Sequence, residues 1–141
     1  MSPDQGGIFD VLMGLVRFGL GGRQGNGRQV VSWIHEADFV AAIEFLLKHE
    51  SINGVVNLAS PHPLPNRDFM KALREAAGIS FGLPSTRVML ELGALVMRTE
   101  TELVLKSRRV VPGRLMEEGF RFQFPQWMEA ARDLAQRWRS A

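Results

Sequence analysis

Between Ile8 and Leu20 the apolar residues Ile8, Leu12, Leu15, Val16 and Phe18 are interrupted by only two charges, Asp10 and Arg17. That pattern predicts a helix with a wide apolar face, and such a face needs a partner. The following run, GLGGRQGNG from Gly19 to Gly27, reads as a glycine-rich turn, and QVVSWI from Gln29 to Ile34 is short and β-prone. A second helix is predicted from Glu36 to Lys48, with Phe39, Val40, Ile43, Leu46 and Leu47 gathered on one face. Asn53-Gly54 then makes a turn into a strand, Val55 to Ala59, and the three prolines between Ser60 and Pro65 exclude a helix there.

Asn66 stands where an N-cap is expected for a third helix, whose stripe Phe69, Met70, Leu73, Ala76 and Ala77 ends at Gly78. A further helix is predicted from Ser85 to about Met97, bearing Val88, Met89, Leu92, Leu95 and Val96. Pro112 suits the first turn of a short helix, Gly113 to Glu118, closed by Gly119. Phe120 to Phe124 alternates apolar and polar like a half-buried strand, and Pro125 opens a terminal helix with Trp127, Ala131, Leu134 and Trp138 on one face. The fold class that follows is α/β in the mixed α+β sense, with amphipathic helices after most of the short strands around one core.

Composition agrees and narrows the chemistry. With 141 residues, 45% hydrophobic and 23% charged, the chain is expected to fold as one compact unit rather than remain disordered. No window reaches the ~18 unbroken apolar residues of a membrane span, and the start, Met1-Ser2-Pro3-Asp4, lacks a basic region followed by an apolar run. The expected location is the cytoplasm, away from membranes. There is no cysteine, which excludes disulfides, thiolate zinc sites and cysteine nucleophiles, and His35, His49 and His62 show no paired metal-ligand spacing. The pI near 9.7 accompanies a formal charge of only +2, with arginines scattered among acidic residues, so no nucleic-acid partner is expected.

The glycine segment is not arranged as a phosphate cradle. A dinucleotide fingerprint runs strand, glycine loop, helix, so that amides at a helix N-terminus face the pyrophosphate. Here a helical pattern precedes the glycines and a strand follows them. No serine has an identifiable base and orienting carboxylate. His35, close in sequence to Ser32, Glu36 and Asp38, is the best single candidate for proton transfer. The competing reading is a histidine that satisfies backbone groups at a strand-to-helix junction. The aromatic residues Trp33, Phe69, Trp127 and Trp138 sit at spacings that suit a core.

Three segments, SWIHEADF, NGVVNLASPHPLPNRDF and RRVVPGRLMEEGFRFQFP, resemble the C-terminal half of extended short-chain dehydrogenase/reductases. The group concerned is the nucleoside-diphosphate-sugar epimerase-like one, some of whose members carry a cell-division-inhibitor label. The resemblance covers essentially the whole chain and implies the substrate-side C-terminal part of a Rossmann-type protein. It also implies two portions: residues 1–27, an apolar helix and glycine turn docked on an N-terminal Rossmann domain outside this chain, and residues 28–141, a C-terminal substrate-side domain. In such proteins the Rossmann domain carries the glycine fingerprint and a Tyr-x-x-x-Lys pair. This chain has no tyrosine, so that pair cannot lie within it. No catalytic residue, cofactor-binding residue or metal ligand is therefore assigned here, and NAD or NADP is implied for a full-length parent only. Arg28, Gln29, Trp33 and His35 are the substrate-binding candidates for a small molecule, although Val31 stands where related epimerases tend to place a pyrophosphate-binding arginine. The chain alone is expected to be inactive. The alternative is a non-enzymatic protein-interaction module, a fragment that docks a partner, or a second copy of itself, through residues 8–20.

Overall fold

A computed structural model describes residues 1–84 and 107–140. Along the chain they form α1 (Ile8–Arg17), β1 (Val30–Val31), α2 (Glu36–Lys48), β2 (Leu64–Pro65), α3 (Asn66–Ala77), α4 (Gly113–Glu117) and α5 (Trp127–Ser140). The helix expected from Ser85 lies outside the described residues. The two strands pair antiparallel, Val30 with Pro65 and Val31 with Leu64.

Three helices make the core. From α1 come Phe9, Leu12, Met13 and Val16, from α3 Phe69, Met70, Leu73 and Ala76, and from α5 Trp127, Ala130, Ala131 and Leu134. Each large apolar side chain so buried contributes roughly 1.5–3 kcal/mol. The alanines of α5 let α3 lie close along it, and at one end the Trp127 ring stacks on Phe69 with centroids 4.1 Å apart. The Trp127 indole N–H donates to the Phe69 carbonyl at 3.0 Å, so this ring brings no orphaned polar group into the core. Trp33 closes the layer from the β1 side, 4.9 Å from Trp127. Trp138, expected on the same stripe, is only partly buried and donates to Asp10 at 2.8 Å. α3 ends as its sequence predicts, on Gly78 in the left-handed conformation.

Several expectations are corrected. The apolar face of residues 8–20 is not left open, because Leu12 and Val16, with Phe9 and Met13, are buried in this chain's own core. Only Ile8 and Phe18 of that segment are largely exposed hydrophobics. On α2 the outcome is reversed. Its buried residues are Asp38 and Ala42, while Phe39, Val40, Ile43 and Leu47 face outward, Leu47 being 75% exposed. Val55 to Ala59 forms no ladder, and Val55 is 86% exposed, since no neighbouring strand among the described residues accepts its backbone.

Asn66 is the first residue of α3 rather than its cap. The leading amides of α3 are capped by main chain instead, Asn66 N–H donating to the Gln29 carbonyl (2.9 Å) and Arg67 N–H to that of Gly27 (3.1 Å). Phe120–Phe124 keeps its alternating burial without joining a sheet. The amides of Gln123 and Phe124 donate to the two carboxylate oxygens of buried Asp38, at 2.7 and 3.0 Å, which takes the place of a ladder.

Candidate functional site

The polar groups that the fold brings together lie along β1. Residues 107–110 run beside it, held by hydroxyls as much as by main chain: Val30 N–H donates to Ser107 Oγ (3.0 Å), Arg108 N–H to the Val30 carbonyl (3.0 Å), Ser32 Oγ to the Arg108 carbonyl (2.7 Å) and Val110 N–H to Ser32 Oγ (2.8 Å). Two cavities open along this seam. One, about 360 Å³, is lined by Asn26, Arg28, Gln29 and Ser107. The other, about 320 Å³, is mostly apolar and is lined by Ser32, Trp33, Ile34, Ala59 and Val110 among others.

Next to Gln29 of the first cavity lies a buried amide pair. Gln24 and Asn66 are buried and join twice, Gln24 N–H to Asn66 Oδ1 at 2.8 Å and Asn66 Nδ2 to Gln24 Oε1 at 2.9 Å. Gln29 Nε2 donates to the Gln24 carbonyl at 2.9 Å, but its Oε1 is buried and has no hydrogen-bond partner among the described residues. A buried acceptor left unpaired is uncommon and costs stability until a donor, from water or a ligand, reaches it. The glycine turn sets this geometry, with Gly25 and Gly27 both at positive φ and Gly27 N–H closing a turn on Gln24.

The four sequence candidates thus separate. Arg28 and Gln29 meet on one cavity. Trp33 lines the other with part of its ring but is otherwise core, its indole N–H donating to the His62 carbonyl at 3.1 Å. His35 lines neither and is buried with both ring nitrogens in use. Nδ1 accepts from Ala37 N–H at 3.1 Å as the N-cap of α2, so the ring proton sits on Nε2, 3.1 Å from Asp133 Oδ2. Phe124 stacks on the ring at 4.0 Å. Burial lowers the His35 pKa from its ordinary value against the pull of Asp133, which keeps the imidazole neutral and the cap intact. Arg137 steadies Asp133 at 2.9 Å and also reaches Glu36.

Sequence reading missed Asn26, Ser32 and Ser107 as cavity and seam residues, and Asp133 as the partner of His35. The Ser-Trp-Ile-His motif contained Ser32, but nothing in the pattern signalled that residues 107–110 return to it.

Comparison with known proteins sets the chain beside epimerase family proteins. Residues 86–134 match a domain described as a domain of unknown function, DUF1731. An epimerase family protein of Mycobacterium leprae is 36% identical over 84% of this chain, and the mouse epimerase family protein SDR39U1 is 31% identical over 92% of it. The crystal structure of human epimerase family protein SDR39U1 (isoform 2) with NADPH superposes with a TM-score of 0.85 at 25% identity, over 96% of this chain and 45% of that one. Over most of its length the chain is similar to the C-terminal part of epimerase family proteins. It spans about two fifths of the curated relatives' length, 38% of the mycobacterial protein and 43% of the mouse one. The mixed helix and small-sheet fold agrees with that part of the human structure. No helix among the described residues is long and apolar enough to cross a membrane.

Proposed function

We propose that this chain is the substrate-side part of an NAD(P)-dependent epimerase-like or reductase-like protein and is inactive by itself. The observation that carries the reading is the cavity where Arg28 and Gln29 meet, in a chain similar to epimerase family proteins over most of its length. A polar small molecule with an anionic group near Arg28 and a hydroxyl or amide donor for Gln29 suits that lining. The chain's own residues would bind and orient it. Proton transfer is not assigned to them, since His35 has no free nitrogen for a substrate.

The described residues do not fit a dinucleotide. The glycine turn leads into β1 rather than a helix, and the first amides of α3 are taken by the carbonyls of Gln29 and Gly27, so they are not turned to a pyrophosphate. NAD(P) chemistry is therefore allotted to an N-terminal Rossmann portion of the kind implied by the relatives' greater length. The outward apolar face of α2, with Val55 beside it in the chain, is the surface we allot to that portion in place of α1. The test is calorimetric titration with NADPH of the chain alone and of a fusion to the N-terminal part of the mycobacterial relative. No saturable heat for the chain and stoichiometric binding for the fusion are expected. Saturable binding by the chain alone overturns the reading.

A further inference from the structure

A larger cavity, about 790 Å³, opens where one side of α1, from Asp10 to Arg17, meets the ends of α3 and α5. Its volume falls within the range of small-molecule sites, and its lining combines an apolar wall with convergent polar groups, as such sites do. Met13, Ala77 and Ile79 supply the wall, and Trp138 presents an aromatic edge. The polar side chains are Gln5, Asp10, Arg17 and Arg139.

The carboxylate is already occupied. Asp10 Oδ2 accepts from Gly6 N–H at 2.9 Å and Oδ1 from the Trp138 indole at 2.8 Å. It therefore fixes the wall instead of pairing with a guanidinium. Arg17 lies over the Trp138 ring, 5.5 Å from its centroid, and no carboxylate among the described residues pairs with it. Arg139 spends Nε on the Ala135 carbonyl (3.1 Å) and Nη2 on that of Ala76 (2.9 Å), which holds the side chain in place, and no carboxylate among the described residues pairs with it. Two guanidiniums against the one carboxylate of Asp10 leave this apolar bowl with a formal charge of about +1, which suits an organic anion with an apolar body.

We propose that this cleft binds small carboxylates bearing an aromatic or short aliphatic body, with the carboxylate between Arg17 and Arg139 and the body against Met13, Ile79 and Trp138. The site is separate from the Arg28–Gln29 cavity. Trp138 is also its reporter, because Trp33 and Trp127 are buried in the core while Trp138 is only partly so.

The experiment is a ¹⁵N–¹H titration of the full 141-residue chain with phenylacetate, following the three indole N–H signals, with Trp138 assigned through Trp138→Phe. The Trp138 signal should move saturably while those of Trp33 and Trp127 stay, and the uncharged phenylacetamide should leave all three in place. Arg17→Gln should weaken binding roughly five-fold or more, as loss of a charge-assisted contact at a partly screened site does. Arg17→Lys should recover part of the affinity. Unchanged signals of Trp33 and Trp127 in these variants establish that the core is intact. A Trp138 signal that does not respond, that responds equally to the amide, or that responds equally in Arg17→Gln overturns the proposal.

Discussion

Helices α1 and α2 carry similar apolar stripes and meet opposite fates. α1 sinks Phe9, Leu12, Met13 and Val16 into the core against α3, whereas α2 buries only Asp38 and Ala42 and turns Phe39, Val40, Ile43 and Leu47 outward. A stripe says that a helix wants cover and leaves open whether the cover comes from the same chain. On α2 the polar residues settle its seating: His35 caps its first turn, and the carboxylate of Asp38 binds the amides of Gln123 and Phe124. The helix is held to this chain by its polar side and keeps its apolar side exposed.

The sharpest contrast should appear when each region loses a large side chain. Trp127→Ala removes a ring stacked on Phe69 and in contact with Trp33, and should cost about 3–5 kcal/mol in chemical denaturation. Phe39→Ala on the outer face of α2 should cost less than about 0.5 kcal/mol in the same assay. Similar losses at the two positions would erase the distinction between the helices. Trp138→Ala, at the rim of a cleft, should fall between them.

Asp38→Ala probes the polar anchorage of α2. It leaves the amides of Gln123 and Phe124 without their acceptor, and a loss of roughly 1–3 kcal/mol is expected, by thermal or chemical unfolding. A neutral result would show that the segment 120–125 is held by its aromatic contacts, Phe120 on Phe45 and on Phe122, instead.

A smaller effect is expected from pH. His35 binds a proton less readily folded than unfolded, so the unfolded chain takes up the extra proton as pH falls below the ordinary value of 6.5, and stability declines from there. Its surroundings are Asp133 and Arg137 from α5 and Glu36 and Asp38 from α2, of which Asp133 opposes the shift and Arg137 adds to it. Between about pH 7 and 5 the chain should lose stability, and His35→Asn, which keeps an N-capping acceptor, should flatten that slope. An equal slope in the variant would place the titration elsewhere.

Much of the fold was legible because it is local. The periods of α1, α3 and α5, the αL cap at Gly78 and the short helix after Pro112 follow from residues within one or two turns of each other. What was not legible depends on distant partners. Asp133 lies 98 positions from His35, residues 107–110 return to β1 from 76 to 78 positions away, and no local pattern encodes either meeting. Val55–Ala59 has the composition of a strand but finds no ladder among the described residues, so composition alone misplaced it. The site divides in the same way. Arg28 and Gln29 stood out beside the glycine turn, while His35 was ambiguous until both of its nitrogens had partners.

The comparison of α1 with α2 is tested most directly by sedimentation of the 141-residue chain over a range of concentrations, beside a Phe39→Glu/Ile43→Glu variant. An uncovered face on α2 predicts association that grows with concentration in the unaltered chain and is lost in the variant, with the helical signal retained in both. A chain that stays monomeric throughout, or a variant that associates just as strongly, would contradict the assignment of the open face to α2.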